Sequence, residues 1–182
     1  MTKKIVITGG LGYIGTELCK IYSGISWNNE ILVIDNRFVS ERVNQLRNWD
    51  INFVHGDILD KDLVNKYCKD ADIVHHLAGI TDVPRVKSES NDKANAKIKL
   101  VAEEGTQNIL DAINDKCKII FPSTHVVYEG IEKIKNDILE DEHTKPVLSY
   151  ASSKAINEKQ LKNSGKNYII LRLGSVYGYS TD

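Results

Sequence analysis

The chain has 182 residues, 41% hydrophobic and 27% charged, enough for one core and one domain. Its 24 basic and 25 acidic residues leave a net charge of −1 with no basic face, which argues against nucleic acid as a partner. No apolar run reaches membrane-spanning length, and the N-terminus enters a predicted strand at once with no signal peptide. Three scattered cysteines, Cys19, Cys68 and Cys117, suggest reduced thiols in a cytoplasmic protein, not a disulfide framework or a zinc site.

Residues 3–7, Lys-Lys-Ile-Val-Ile, form a short β-branched run predicted as a buried strand. Residues 8–15, Thr-Gly-Gly-Leu-Gly-Tyr-Ile-Gly, follow it directly, and apolar Leu18, Ile21 and Tyr22 then suit a helix packed on a sheet. Strand, glycine turn and helix are the setting of a dinucleotide fingerprint. The glycines fit either Gly10-x-Gly12-x-x-Gly15 or Gly9-x-x-Gly12-x-x-Gly15. One makes the tight turn, one lets backbone approach a pyrophosphate, and one lets helix and strand pack closely. The N-terminus of the helix that follows Gly15 offers free N–H groups and a positive dipole end to the phosphates. A second strand, residues 30–35, ends in Asp35-Asn36, and Asp35 lies 20 residues beyond Gly15, where a carboxylate would bind an adenosine ribose. The same carboxylate would repel a 2′-phosphate, so the expected cofactor is NAD, with nearby Arg37 the residue that could instead accept such a phosphate.

Further along, residues 40–49 are predicted helical, 51–55 a third strand leading to Gly56-Asp57-Ile58, and 60–69 a helix. Residues 71–79 form a fourth strand running through His75 and His76 to Leu77-Ala78-Gly79. A long helix is predicted over 91–114, a fifth strand over 116–121, a helix over 150–163 and a sixth strand over 167–173. Such alternation implies right-handed βαβ units, hence an α/β doubly wound parallel sheet of Rossmann type with helices on both faces. The least structured stretches, 81–90 and 129–147, follow strand C-termini, where open α/β sheets bind ligands. Tyr150 and Lys154 share a helix face, and a neighbouring ammonium lowers a tyrosine pKa toward use as a base. His75 and His76 lack a third partner at metal spacing and read as strand-end residues.

Six segments in order resemble the extended short-chain dehydrogenase/reductases, in particular their NAD-dependent nucleotide-sugar epimerase/dehydratase group. They are residues 8–15, 56–58, 76–79, 122–128, 150–154 and 172–178, and the match runs from Lys4 to about Gly178, nearly the whole chain. The resemblance implies Gly9, Gly12, Tyr13, Ile14, Gly15, Asp35, Asn36, Asp57, Ile58, Leu77, Ala78 and Gly79 as cofactor contacts, with Tyr150 and Lys154 reaching the nicotinamide ribose. It implies Tyr150 as the proton acceptor, Lys154 as its activator and Thr124 as the hydroxyl that holds the reacting oxygen. The expected activity is that of an NAD-dependent epimerase similar to UDP-glucose 4-epimerases. A nucleotide sugar is the expected substrate, and a homodimer is an expected assembly.

Several positions depart from the family pattern. His125-Val126 replaces the Asp-Glu pair of dehydratases, which disfavours dehydration, because valine transfers no proton. Ala102 replaces an asparagine, Glu129 intrudes between Tyr128 and Gly130, and Ser175 replaces another asparagine. A carbonyl or alcohol reductase on a non-sugar substrate is the alternative, and a non-catalytic NAD-binding domain a third. Residues 1–182 are expected to be the cofactor domain alone, truncated before the substrate lobe, leaving apolar sheet surface uncovered and no turnover in isolation.

Overall fold

The computed structural model describes residues 2–25, 29–81, 92–132 and 136–178. Six parallel strands alternate with helices. They are β1 (Lys4–Thr8), β2 (Glu30–Asp35), β3 (Asn52–His55), β4 (Ile73–His76), β5 (Lys118–Thr124) and β6 (Asn167–Leu173). The helices are α1 (Tyr13–Ser23), α2 (Ser40–Asn48), α3 (Lys61–Cys68), α4 (Asp92–Leu100), α5 (Thr106–Ala112) and α6 (Ser149–Asn163). Strand order is β3-β2-β1-β4-β5-β6, so the winding reverses between β1 and β4 and opens a crevice at their C-terminal ends.

Alternation along the strands builds two cores, one on each side of the sheet. Ile5, Ile7, Ile31 and Val33 pack with Cys19 of α1 and with Val43 and Leu46 of α2. Val6, Leu32, Ile34, Val74, Ile119 and Phe121 pack with Val64 of α3, Ile109 and Leu110 of α5 and Leu161 of α6. The expected doubly wound sheet with helices on both faces is therefore the observed fold. Cover is unequal, however. On β6, Ile170 joins the core on the α6 side, while Ile169 and Leu171 on the other face are 39% and 43% exposed.

Three local differences from the sequence expectations have physical causes. Helix α1 begins at Tyr13, so Gly15 lies inside it, and it buries Gly15, Thr16 and Cys19. Ile21, expected against the sheet, is 60% exposed. Strand β5 continues through Pro122 to Thr124. Pro122 pairs with Leu171 of β6, while β4 pairs with β5 only as far as Ile120, so the missing N–H faces no strand. The predicted long helix is interrupted by a π-helical turn, Val101–Gly105, between α4 and α5. Residues 82–91, most of one predicted loop, lie outside the described residues. The other predicted loop, 129–147, is irregular where it is described. Among the described residues no helix is long and apolar enough to cross a membrane.

Candidate active site

The glycine turn is shaped by contacts that a side chain would break. Gly9 has φ +71°, and a Cβ there would lie 2.6 Å from the Ala78 nitrogen, so the turn rests directly on the end of β4. Gly15 abuts Gly10, where a Cβ would meet the Gly10 Cα at 2.6 Å. The first bond of α1 runs from the Thr16 N–H to the Gly12 carbonyl at 2.9 Å. The amides of Tyr13, Ile14 and Gly15 precede it and have no intrahelical acceptor, which leaves them and the helix dipole for an anion.

Asp35 is buried at the end of β2 and takes the Leu11 N–H at 2.9 Å and the Arg37 N–H at 2.9 Å. Arg42, also buried, donates to the Leu11 carbonyl. Leu11 is thus held at both ends, and the glycine turn is fixed to the carboxylate beside it. Asp57 accepts the Leu59 N–H at 3.0 Å and the Asn36 side-chain amide at 2.9 Å. The last turns of β2 and β3 are joined in this way, with Ile58 between them and the core.

Across the crevice, β5 and α6 bring Thr124, Tyr150 and Lys154 together. Lys154 is buried, and its Nζ donates to the Pro122 carbonyl at 2.9 Å and lies 4.5 Å from the Phe121 ring centre and 5.9 Å from the Tyr150 ring centre. Burial pulls its ammonium down to a pKa of about 8. Burial pushes the Tyr150 phenol up. Burial alone accounts for that rise, and the Lys154 ammonium expected to act on the phenol lies 5.9 Å from the Tyr150 ring centre. Thr124 Oγ1 accepts the Val126 N–H at 3.2 Å, so it caps the 3₁₀ turn His125–Tyr128. Among the described residues no acceptor takes its hydroxyl proton.

Two buried polar clusters behind these residues escaped the sequence reading. In one, the Glu158 carboxylate receives Arg172 through Nε at 2.9 Å and Nη2 at 2.6 Å, and the Ser123 hydroxyl at 2.6 Å. Burial works against its charge, but the bonds from Arg172 and Ser123 prevail and hold Glu158 below the usual carboxylate range. Arg172 also donates to the Tyr128 hydroxyl and to the Glu140 carbonyl. In the other, His76 lies between the hydroxyls of Thr8 at 3.0 Å and Thr106 at 2.9 Å, and Asn157 donates to Thr106 at 2.9 Å and to the Ala102 carbonyl at 2.8 Å. Burial, and secondarily the charge of Lys154, pull His76 down to about 3. On the opposite face His75 pairs with the Tyr22 hydroxyl at 2.7 Å and is pulled down to about 4 by burial. The Glu158–Arg172 pair was legible as a charge pattern only after β6 and α6 were placed together. Cys19, Cys68 and Cys117 are buried free thiols pushed up by burial to about 12, 12 and 11. Among the described residues no group of three or more His, Cys, Asp or Glu could hold a metal ion.

One cleft of about 880 Å³ joins both sides of the crevice. Its wall contains the expected cofactor contacts and catalytic residues: Gly9, Gly12, Tyr13, Ile14, Gly15, Asp35, Asn36, Asp57, Ile58, Leu77, Ala78, Gly79, Thr124, Tyr150 and Lys154. It also contains Lys97, Leu100 and Val101, which no motif pointed to. A glycine turn, a strand-end carboxylate and a cleft at the switch point define a dinucleotide-binding α/β domain.

The chain belongs to the NAD dependent epimerase/dehydratase family, which matches over residues 5–182. It is 30% identical to the CDP-paratose 2-epimerase of Salmonella typhi, over 96% of this chain and 58% of that protein. It is 31% identical to the dTDP-D-glucose 4,6-dehydratase of Dictyostelium discoideum, over 97% and 44%. Among solved structures, the UDP-glucuronic acid 4-epimerase of Bacillus cereus in complex with NAD superposes with a TM-score of 0.78 at 27% identity, over 96% of this chain and 57% of that one. The chain therefore spans about half the length of the curated relatives it matches.

Proposed function

We propose that this chain binds NAD and forms the cofactor half of a nucleotide-sugar epimerase. The observation that carries the reading is that Thr124, Tyr150 and Lys154 share one cleft with the glycine turn and Asp35. The cleft fits the cofactor chemically. The Tyr13 and Ile14 amides would hold the pyrophosphate, Asp35 the adenosine ribose, and Lys154 the nicotinamide ribose. Gly12 keeps the turn tight, since a Cβ there would sit 3.1 Å from the Gly9 carbonyl. Bound NAD supplies a reversible hydride acceptor.

The protein's own groups would do the rest. Tyr150 takes the proton from a sugar hydroxyl and returns it after the carbon has been presented from the other side. Lys154, whose hydrogen-bond partner among the described residues is the Pro122 carbonyl, lines the cleft and would offer its remaining N–H donors there. Thr124 donates its free hydroxyl proton to the reacting oxygen. His125-Val126 in place of an acidic pair favours epimerisation over dehydration. Positioning of the sugar is worth about 7–11 kcal/mol, and we assign it to structure beyond these residues, so the chain alone should bind NAD without turnover.

Calorimetry should show NAD binding more tightly than NADP, and equal or tighter NADP binding would overturn the cofactor assignment. In a preparation that converts a nucleotide sugar, Tyr150→Phe should abolish turnover and leave NAD affinity intact, whereas Lys154→Ala should impair both. Near-normal turnover by Tyr150→Phe would overturn the mechanism, and robust conversion by this chain alone would overturn the division of labour. Reduction of a non-sugar carbonyl with no effect on nucleotide sugars would favour the reductase reading.

A further inference from the structure

We propose that Glu129 is a positioning residue that fixes the spacing between Thr124 and Tyr150. The inference rests on the roles given to those two residues above. Glu129 Oε1 accepts the N–H of Val147 and the N–H of Leu148, each at 2.6 Å. Leu148 is the N-cap of α6, and Tyr150 is the second residue of that helix. On the other side, Glu129 closes the 3₁₀ turn that Thr124 opens. One carboxylate thus ties the chain leaving Thr124 to the chain arriving at Tyr150.

The surrounding backbone makes the same junction. The Lys145 N–H donates to the Val127 carbonyl at 2.9 Å, and the Gly130 N–H donates to the Lys145 carbonyl at 2.9 Å. A Cβ at Gly130 would run into that carbonyl, so glycine permits the close approach. The result is a closed neck joining residues 127–130 to residues 145–148, next to the first turn of α6. Glu129 suits this place for two reasons. A carboxylate makes charge-assisted bonds to amides, and negative charge is favoured at a helix N-terminus. Among the described residues the Val147 and Leu148 amides have no other acceptor. Without Glu129 the first turn of α6 loses its anchor, and Tyr150 loses the burial that sets its environment.

The test uses this chain with ¹³C-labelled tyrosine Cζ, the Tyr150 signal being assigned through Tyr150→Phe. Glu129→Ala should speed amide exchange at Val147 and Leu148 by about tenfold or more. It should also move the Tyr150 titration down toward the ordinary value of about 10 as burial is lost. Glu129→Gln keeps a carbonyl oxygen in place and should hold both readouts near wild type. NAD affinity should stay within about twofold in each variant, because Glu129 is not part of the cleft wall. Faster exchange with an unmoved Tyr150 titration would overturn the proposal, and so would Glu129→Gln behaving like Glu129→Ala. If Glu129→Ala fails to fold, Glu129→Asp, one methylene too short to reach both amides, is read in the same way. None of these structural readouts needs turnover. A chain that bound no NAD would sink the functional reading while the Tyr150 result still decided this one.

Discussion

The two sides of the crevice are built differently. On the β1–β2–β3 side, ligand-facing groups are placed by backbone: glycines in close contact, helix amides, and an Asp35 carboxylate held by two main-chain N–H groups. On the β4–β5–β6 side, they are placed by buried side chains, with Glu158, Arg172, Ser123, His76, Thr106 and Asn157 standing behind Lys154 and Tyr150. A backbone-built site needs few residue types at fixed spacing. A side-chain-built site depends on partners far apart in sequence, and it is costly to leave half made.

That contrast can be broken most directly at Arg172. Arg172→Ala leaves the buried Glu158 carboxylate with only the Ser123 hydroxyl and the half-exposed Lys162 ammonium at 3.6 Å, and should cost up to about 3–5 kcal/mol in denaturant unfolding, whereas a loss below about 1 kcal/mol would show that the far side does not depend on its ion pair. Lys154→Met sharpens the comparison from the opposite direction. A buried ammonium whose pKa falls from 10.5 to about 8 penalises folding wherever both states are charged, that is, below about pH 8. Replacing it should therefore stabilise the chain by about 1–3 kcal/mol at pH 7. The advantage should fade as pH rises from about 8 through 10.5. A destabilised variant at pH 7 would show that the Pro122 bond and the Phe121 contact matter more than the charge.

A pH-dependent effect separates the two faces through adjacent residues of one strand. His75 packs against Tyr22 of α1, and His76 against Thr106 of α5. Both are pulled below the ordinary 6.5, so the unfolded chain takes up protons that the folded chain refuses. Stability should fall as pH drops from 6.5 toward 4, by about 1.4 kcal/mol per pH unit for each histidine. His75→Gln and His76→Gln should each flatten that slope in urea melts across this range, and an unchanged slope would mean that neither ring is kept neutral by the fold.

Legibility followed the same division. The glycine turn, Asp35 and the order of strands were readable because local spacing and alternation determine them. Tyr150 and Lys154 were readable as a helix-face pair and through family resemblance. The end of β5 was not, since Pro122 reads as a strand breaker until it is seen that β4 stops short of it. Ile21 was misplaced because α1 buries small residues, Gly15, Thr16 and Cys19, where its glycines let it approach the sheet. Glu129 read as an intrusion, and its two amide partners lie 18 and 19 residues away.

The π-helical turn at Val101–Gly105 has a consequence for phase. A regular helix advances about 100° per residue, and an i→i+5 turn advances less, so every later residue is rotated back by part of a turn. Ile98 is buried before the wide turn, and Thr106, Ile109 and Leu110 are buried after it. The carbonyls loosened in the wide turn, at Ala102 and Glu103, are taken by Asn157 and Gln160 of α6. The segment therefore acts as a vernier between two lengths of helix. It lets Lys97, Leu100 and Val101 face the cleft while the following turns stay locked in the core, and the amides of α6 keep the offset from relaxing.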